Sequence, residues 1–532
     1  MSAYPEIDLS TTPPTVNVPR NYNAAVDFVD RHLEQGRSAR VAFIDETGSH
    51  TFGDLAERVN RSGNALLDMG VVQEQRVLMC VLDTVDFPSL FFGAMKAGIV
   101  PVPINTLLTT KDYEYMLSDS RAQVLVVSDL LYEKFEPLLA NAPYLKEVII
   151  AGGGGAEIAA RDGHKVLNDL LAAASAELAA APTVADDAGF WLYSSGSTGA
   201  PKGAVHLQSD LVNSAALYGM GVLGIQEDDI VFSAAKLFFA YGLGNGMSFP
   251  LYVGATAVLM SGRPTPETVM AQLKQHNPTI YYGVPTLYGA MLADDNCVPA
   301  NGSNALRACV SAGEALPEDI SKRWNERFGV DILDGLGSTE MLHIFLSNAP
   351  GDIRYGTSGK AVPGYDLKLV DEDDLPVGEG EIGELLVKGQ TTAVAYFNNR
   401  AKSTGTFQGA WTRTGDKYTC DPDGYFVYSG RSDDMLKVGG IWVSPFEVES
   451  ALLAHEAVLE VAVVGKADSE DLIKPQAHIV LKDGQGSDEL VAELKAFVKD
   501  RLALYKYPRW IEFVDELPKT ATGKIQRYKL RS

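Results

Sequence analysis

The sequence predicts an α/β protein with a large N-terminal part, made of two α/β subdomains and a small β-barrel-like subdomain, and a small α+β C-terminal part. Short apolar runs alternate with helical patterns over residues 40–128, and again from Leu211 to Gly329. Such alternation favours parallel sheets covered by helices on both faces. From Gly356 the pattern changes to short strands between glycines and acidic turns, which favours a barrel-like unit. Past Arg431 the α/β pattern returns for about 100 residues, an ordinary domain size.

The first α/β unit is predicted from the change between helical and strand periodicity. Its expected elements are a helix over 21–32, strands over 40–45 and 49–52, a helix over 52–69, a strand over 76–82, a helix over 89–97, a strand over 99–104, a helix over 111–118 and a strand over 123–128. We expect Gly152–Gly155 to form a surface loop and the alanine-rich residues 170–187 to form a solvent-facing helix. In the second unit, strands are expected over 255–260, 279–282 and 306–311.

Composition and charge limit the possible functions. The chain has 532 residues with 46% hydrophobic and 21% charged side chains, which is typical of a globular protein. Its 45 basic and 69 acidic residues give a net charge of −24, which argues against nucleic acid or an anionic membrane as the main partner. The four cysteines have neither disulfide nor metal-site spacing. With no apolar leader and no long apolar run, the expectation is a cytoplasmic enzyme.

A segment rich in glycine and hydroxyl groups follows the apolar residues 191–193. Its glycines allow backbone N–H groups to face a ligand, its hydroxyls add donors, and Lys202 adds a mobile positive charge. The pattern predicts a phosphate-binding loop made by Ser194, Ser195, Gly196, Ser197, Thr198, Gly199 and Lys202. Because Lys202 follows a proline and precedes a glycine, the segment does not match a Walker P-loop. A polar turn between two strands is the alternative interpretation.

This segment resembles the signature of the adenylate-forming superfamily, which contains acyl-CoA synthetases, peptide-synthetase adenylation domains and luciferases. The resemblance covers nearly the whole chain, because further family motifs follow in the family order. It implies an adenylation domain over residues 1–432, with the ATP and acyl sites, and a mobile C-terminal domain over residues 433–532. It also implies ATP, Mg²⁺ and coenzyme A as the small molecules that the protein binds.

The resemblance assigns roles to the nucleotide motifs. The turn of Gly313, Glu314 and Ala315 is expected against adenine, Asp416 on the ribose hydroxyls, and Arg431 on ribose or phosphate. In the next motif, residues 334–340, the family uses the Thr339 hydroxyl on the α-phosphate and the Glu340 carboxylate on Mg²⁺, a metal that prefers oxygen ligands. The neighbouring nucleotide-binding positions are Asp334, Gly335, Leu336, Gly337 and Ser338. A helix N-terminus capped by Ser338 or Thr339 is the alternative.

In the C-terminal part, the resemblance implies a pivot at Asp433 and a strand that lines the pantetheine tunnel. The positions of that strand are Lys437, Gly439, Gly440 and Trp442. Near the chain end, Lys524 matches the lysine that approaches the carboxylate and the α-phosphate, so the implied catalytic residues are Lys524, Thr339 and Glu340. A charged turn is the alternative interpretation of the segment around Asp433, and a surface charge cluster is the alternative for the segment around Lys524.

The acyl site is predicted from Phe239, Ala240, Tyr241, Gly337, His343 and Ile344. Ala240 stands where peptide-synthetase domains carry an aspartate for the ammonium group, and an unpaired buried ammonium would be costly, so an amino-acid substrate is rejected. Gly337 stands where small-acid synthetases carry a tryptophan, which suggests room for a ring. Four of these side chains would enclose a flat, apolar acid: Phe239, Tyr241, His343 and Ile344. Each of the four could instead be ordinary core packing.

The expected function is ATP-dependent ligation of an aromatic acid, with benzoate as the first candidate, to coenzyme A through an acyl-AMP intermediate. The alternatives are a ligase for another aryl or medium-chain fatty acid, a luciferase-like oxygenase, and a non-catalytic nucleotide-binding regulator. The expected partners are the small-molecule substrates, without nucleic acid or membrane. Oligomeric state is left open, with a homodimer as one expectation.

Overall fold

A computed structural model describes residues 4–194, 200–432, 434–438, 441–468, 472–482, 486–519 and 525–531. The side chains of residues 441 and 442 lie outside this description.

The first third of the chain contains a parallel sheet and its covering helices. Its strands are β1 (Glu6–Asp8), β2 (Thr15–Asn17), β3 (Val41–Asp45), β4 (Gly48–Thr51), β5 (Arg76–Cys80), β6 (Val100–Pro103), β7 (Val124–Ser128), β8 (Glu147–Ala151) and β9 (Lys165–Val166). Its α-helices are α1 (Arg31–Glu34), α2 (Phe52–Asp68), α3 (Asp86–Lys96), α4 (Thr110–Ser120), α5 (Glu136–Leu139), α6 (Gly155–Asp162) and α7 (Leu167–Ala173). Strands β6, β5, β7, β8 and β9 pair in this order, all in parallel.

Sequence chemistry explains these elements. Helix α2 begins with a capping box between Thr51 and Asp54 and buries the stripe Phe52, Leu55 and Val59. Strand β7 is buried on both faces, as expected for a central strand of a parallel sheet.

The second region extends to residue 361. Its strands are β10 (Ala188–Ser194), β11 (Lys202–Leu207), β12 (Ile230–Ser233), β13 (Thr256–Val258), β14 (Ile280–Gly283), β15 (Ala308–Ser311), β16 (Ile332–Gly337), β17 (Ile344–Ser347) and β18 (Lys360–Ala361). Its α-helices are α8 (Asp210–Ser214), α9 (Ala240–Leu243), α10 (Phe249–Val253), α11 (Pro266–His276), α12 (Pro285–Ala293) and α13 (Glu318–Phe328). A 3₁₀ turn, Thr339–Met341, separates β16 from β17.

The larger sheet has the strand order β18, β17, β16, β15, β14, β12, β13, β3, β4. Strand β3 pairs in parallel with β13, although the sequence predicted both β3 and β4 as part of the first unit. That prediction is wrong because sequence neighbours need not share a sheet, and the β3–β4 hairpin completes the edge of the second one.

The remaining strands are β19 (Asp366–Val370), β20 (Gly383–Lys388), β21 (Ala395–Tyr396), β22 (Phe407–Gln408), β23 (Trp411–Cys420), β24 (Phe426–Arg431), β25 (Leu436–Val438), β26 (Ile441–Val443), β27 (Val458–Ala467), β28 (Ile473–Leu481) and β29 (Trp510–Phe513). The helices are α14 (Arg400–Thr406), α15 (Pro445–Leu453) and α16 (Asp488–Lys499). Strands β19, β20, β23, β22 and β24 form an antiparallel sheet, whereas β27, β28 and β29 form another sheet with its own apolar core against α15 and α16.

One local prediction is wrong, and another holds except at its last residue. The alanine-rich tract is helical only through Ala173, and then runs as an extended segment on α2 and α3. Asn60 and Asn64 of α2 donate to backbone carbonyls of this segment, so it has found hydrogen-bond partners outside a helix. The expected loop at Gly152–Gly155 ends in helix α6, which begins at Gly155. Among the described residues, no helix has the length and apolarity needed to cross a membrane.

Candidate active site

The candidate site lies at the carboxyl ends of β14, β15 and β16, where ligands bind in open α/β sheets. Gly313, with φ of +94°, begins the turn after β15, so Glu314 and Ala315 lie at the same sheet edge. Asp334 on β16 is buried, and burial raises the pKa of its carboxyl well above the ordinary value. The two motifs predicted for adenine and phosphate contacts are therefore brought together by parallel pairing of β15 with β16.

The strands on either side of the predicted phosphate loop, β10 and β11, pair in antiparallel. Ser194, the last residue of β10, pairs with Lys202, the first residue of β11. The loop residues Ser195, Gly196, Ser197, Thr198 and Gly199 lie outside the described residues. Strand β11 also pairs with the distant β21, with Ala204 opposite Tyr396.

This pairing joins Lys202 to Glu340 through Tyr396. The Lys202 ammonium lies 4.7 Å from the centre of the Tyr396 ring, a cation–π distance. The Tyr396 hydroxyl donates to Glu340 Oε1 at 2.6 Å. Partial burial lowers the pKa of Lys202, and the nearby Glu340 carboxylate opposes that shift. A positive and a negative side chain from distant motifs thus both contact Tyr396.

The Thr339–Met341 turn is held by several hydrogen bonds. The Ser338 hydroxyl accepts from the Met341 N–H at 3.2 Å, so the capping interpretation is correct for Ser338. Ala393 N–H donates to the Glu340 carbonyl at 2.8 Å. The Thr391 hydroxyl donates to the Met341 carbonyl at 2.7 Å. The backbone beneath the predicted magnesium carboxylate is therefore fixed from outside the turn.

Leu342, directly after this turn, has a strained backbone. Its φ is +65° and its ψ is −43°, and the His343 N–H donates to the Met341 carbonyl at 2.8 Å. These values describe a γ-turn of the rare, strained kind. Such strain persists where the surrounding structure enforces it, which is common at functional sites.

The predicted ribose ligands are adjacent. Asp416 on β23 pairs with Arg431 on β24, and their side chains approach to 3.3 Å. Asp416 is buried, whereas Arg431 is exposed.

Less of the C-terminal motif set is described. Lys437 on β25 pairs with Trp442 on β26, and the Lys437 side chain is exposed. Asp433, Gly439, Gly440 and Lys524 lie outside the described residues.

An aromatic cluster surrounds His343 on the acyl side. The His343 ring lies 4.4 Å from Phe249, 5.3 Å from Tyr218 and 5.7 Å from Tyr241. Burial lowers the pKa of His343 to about 3, so the ring is neutral. Because His343 Nε2 faces the Tyr241 carbonyl at 3.2 Å, this nitrogen carries the proton.

The other predicted acyl residues lie beside this cluster. The Tyr241 hydroxyl donates to the carbonyls of Gly283 and Val310 at the ends of β14 and β15. Phe239 is half-buried, and Ala240, the first residue of α9, is buried in the same apolar core as Ile344. The four side chains proposed to enclose the acid are thus close in space, at the edge of that core.

The expectation of open space beside Gly337 needs correction. A Cβ atom on Gly337 would lie 2.6 Å from the His343 carbonyl oxygen and 2.8 Å from the Ile344 nitrogen. The glycine permits a close crossing of β16 and β17, which also shift register at this point.

Comparison with known proteins places the chain among nucleotide-dependent enzymes. A family model described as AMP-binding enzyme matches residues 29–397, and one described as AMP-binding enzyme C-terminal domain matches residues 447–524. This chain belongs to the AMP-binding enzyme family. The adenylate-forming fold predicted from the resemblance is thereby confirmed.

Relatives of this AMP-binding enzyme include ligases for aromatic acids. It is 60% identical over 528 residues to a benzoate–CoA ligase of Thauera aromatica, covering 99% of this chain and 98% of the relative. The crystal structure of a benzoate CoA ligase from Burkholderia xenovorans LB400 matches with a TM-score of 0.89 and 51% identity, covering 96% of this chain and 100% of that chain. An anthranilate CoA ligase in complex with anthranoyl-AMP matches with a TM-score of 0.93 and 46% identity, covering 96% and 97% of the two chains.

The residues of this AMP-binding enzyme suit Mg²⁺ bound together with a nucleotide. Mg²⁺ usually takes one or two carboxylates plus phosphate oxygens and water. Glu340 supplies such a carboxylate, with one oxygen engaged by Tyr396. The described residues contain no group of three or more His, Cys, Asp or Glu arranged to hold a metal alone.

Sequence reasoning missed several residues of the site. Tyr396 has no local signal in the sequence. It reaches this site only because β21 pairs with β11, which lies about 190 residues earlier in the chain. His206 did have one: it lies four residues after Lys202 on the same strand, so the two side chains share a face. Asp83 was also missed; its buried carboxylate accepts from the Leu237 N–H at 3.2 Å, near the acyl residues.

Proposed function

We propose that this enzyme ligates benzoate to coenzyme A in two steps. In the first, the benzoate carboxylate attacks the α-phosphorus of ATP and releases pyrophosphate, which gives benzoyl-AMP. In the second, the thiol of coenzyme A attacks the acyl carbon, and AMP leaves with the bonding electron pair. The thiol proton passes to solvent or to the departing phosphate.

One observation carries the proposal. The segment Thr339–Ile344 presents Glu340 beside Lys202 at one end and the neutral ring of His343 in an aromatic cluster at the other. A site that activates a flat, apolar acid with a nucleotide needs charged side chains where the phosphates bind and uncharged side chains where the ring binds. The similar benzoate–CoA ligases support the choice of benzoate.

The chain's own groups act mainly by positioning and charge neutralisation, which dominate phosphoryl-type displacement. Lys202 and the loop before it would hold the phosphates, Asp416 and Arg431 the ribose, and Thr339 the α-phosphate. Bound Mg²⁺ would neutralise phosphate charge beside Glu340. We assign Lys524 the bridging role between carboxylate and α-phosphate, with the domain boundary and pivot at 432–433.

The residues of the acyl site also argue against an amino-acid substrate. Ala240 and the neutral His343 provide no carboxylate to pair with an α-ammonium group, which an amino-acid substrate would bury at this position. We further propose that the protein is cytoplasmic and works without nucleic acid or membrane. We also propose that it assembles as a homodimer, and light scattering would measure this oligomeric state.

Product analysis tests the function. With benzoate, ATP and coenzyme A together, we expect AMP and pyrophosphate in equal amounts, and with coenzyme A omitted we expect benzoate-dependent exchange of labelled pyrophosphate into ATP. Formation of ADP and orthophosphate would contradict the mechanism. Tight ATP binding without exchange, over a broad acid panel, would favour a regulator. A higher kcat/KM for hexanoate or a longer acid would replace benzoate as the substrate.

A further inference from the structure

His206 and Asp210 form a buried pair directly behind the predicted catalytic segment. His206 Nδ1 lies 2.8 Å from Asp210 Oδ2, and His206 Nε2 lies 2.8 Å from the Thr339 carbonyl oxygen. Neither side chain is exposed to solvent. These contacts are not needed to build the β10–β11 hairpin, whose backbone pairing is complete without them.

The orientation of the imidazole ring is fixed on every side. A carbonyl oxygen only accepts hydrogen bonds, so His206 Nε2 donates to Thr339. The ring stacks on Phe190, with centroids 5.2 Å apart and planes 16° from parallel. Asp210 is itself held, because its Oδ2 also accepts from the Leu207 N–H at 3.1 Å. A buried ring with both nitrogens engaged is a rigid support.

His206 supports a backbone segment that carries Thr339 and Glu340, the residues expected at the α-phosphate and at Mg²⁺. The carbonyl of Thr339 belongs to the residue before Glu340, and the strained γ-turn at Leu342 follows two residues later. Without external hydrogen bonds this backbone would relax towards an unstrained conformation. Strand β11 therefore contributes twice to the same place, with Lys202 at its start and His206 near its end.

We propose that His206, oriented by Asp210, is a positioning residue that holds the Thr339–Glu340 backbone in the geometry required for the adenylation step. The inference rests on the proposed function, because it assigns Glu340 to the magnesium–nucleotide complex. His206 touches neither substrate nor metal and acts only through the Thr339 carbonyl.

Two substitutions of matched polarity separate positioning from packing. In His206→Gln, the side-chain nitrogen replaces Nε2 as the donor to Thr339, whereas in His206→Asn the shorter side chain reaches only towards Asp210. Loss of one buried hydrogen bond predicts a rise of about ten-fold in the Mg²⁺ concentration for half-maximal pyrophosphate exchange in His206→Asn. In His206→Gln we expect a rise of less than about three-fold, and in both variants the KM for benzoate should change by less than about two-fold.

Phe190→Leu provides a second test if His206→Asn does not fold. It removes the Phe190 ring that stacks on His206 but keeps both hydrogen bonds of the imidazole. The imidazole is then held less firmly, and the Mg²⁺ half-saturation should rise by about three-fold. No rise in a folded Phe190→Leu protein would contradict positioning through the ring.

The two proposals can fail separately. The positioning role would be overturned if the Gln and Asn variants had the same Mg²⁺ half-saturation. It would also be overturned if the KM for benzoate rose as much as the Mg²⁺ half-saturation does. In either case His206 would be a packing residue. Absence of benzoate-dependent exchange in the wild-type protein would contradict the proposed function itself. Benzoate-dependent exchange in the wild-type protein, together with a larger rise in Mg²⁺ half-saturation for His206→Asn than for His206→Gln, would support both proposals.

Discussion

The nucleotide end and the acid end of the segment from Thr339 to Ile344 differ in how their polar groups are satisfied. At the nucleotide end, Glu340 accepts from Tyr396, and the backbone carbonyls of Thr339, Glu340 and Met341 all accept hydrogen bonds from outside the turn. At the acid end, buried polar atoms lack a partner among the described residues: His343 Nδ1, Asn245 Nδ2 and Tyr282 Oη.

The difference indicates a division of labour. Charge stabilisation requires groups fixed before the reaction begins, because reorganisation during the reaction would raise the barrier. An acid pocket can instead leave polar atoms available to whatever ring enters, since specificity depends on fit and on which polar atoms become paired. Substitutions at the nucleotide end should therefore affect adenylation with any acid, and those at the acid end should change the choice of acid.

The largest expected effect is that of Lys524→Ala on the nucleotide end. A carboxylate and an α-phosphate must approach each other, and one bridging lysine offsets their repulsion. Loss of such a group should slow pyrophosphate exchange roughly 10²–10³-fold. Thioester formation from synthetic benzoyl-adenylate should be largely spared, because the nucleophile is then a thiol.

The two half-reactions provide the control for Lys524→Ala. Equal losses in pyrophosphate exchange and in coenzyme A consumption from the adenylate would contradict the bridging role. Lys519→Ala is a matched variant: Lys519 belongs to the same C-terminal segment, but its ammonium pairs with Glu460 at 2.6 Å. We expect it to leave both half-reactions nearly unchanged.

The nucleotide end was the easier one to predict from sequence. Lys202 belongs to a segment whose composition alone indicates phosphate binding, whereas the roles expected for Thr339, Glu340, Asp416 and Arg431 come from the ordered motifs of the resemblance. Strand–helix alternation indicates an α/β protein, and the resemblance indicates the adenylate-forming fold. Tyr396 and His206 depend on the register of β11 with β21 and on what packs beneath a turn, which single segments do not encode. The γ-turn at Leu342 has no local signal, because leucine does not favour positive φ.

Ala240→Leu should have the next largest effect, confined to the acid end. Ala240 is buried at the start of α9, and overpacking costs about 1–3 kcal/mol, which predicts roughly a 10- to 100-fold lower kcat/KM for benzoate. The KM for ATP should hardly change. Steady-state kinetics with each substrate varied in turn would measure this, and a parallel loss of ATP affinity would place Ala240 outside the acid site.

Tyr396→Phe tests the hydrogen bond that Glu340 accepts at the nucleotide end. The variant keeps the ring beside Lys202 and removes the hydroxyl that donates to Glu340 at 2.6 Å. Loss of a hydrogen bond to a charged group predicts about a ten-fold rise in Mg²⁺ half-saturation. Tyr193→Phe is the control, because it loses a comparable bond, to Asp119 at 2.8 Å, in which Glu340 takes no part. Similar rises in the two variants would refute a specific role for Tyr396.

The smallest effect on turnover is expected for Asp83→Asn at the acid end, where the comparison can be tested through stability. Burial raises the pKa of Asp83 to about 6, partly opposed by Lys236 and by the hydrogen bond from the Leu237 N–H. An asparagine oxygen can still accept that bond, so turnover of benzoate should change less than about three-fold. The folded protein keeps the Asp83 proton to a higher pH than the unfolded chain does. Asp83 therefore favours folding less as the pH rises from about 4 to about 6.

The Asp83→Asn variant lacks this titration, so its Tm relative to wild type should be higher at about pH 7.5 than at about pH 4.5. Loss of the attraction between Asp83 and Lys236 reduces the gain without changing its sign. Asp8→Asn is the control: Asp8 is exposed, and hydrogen bonds from Ser10 lower its pKa, so its Tm difference should be flat over this range. A Tm difference for Asp83→Asn that is constant, or that falls as the pH rises, would show that Asp83 is charged at little cost. The acid end would then be built on fixed charge, as the nucleotide end is, and the contrast between the two ends would fail.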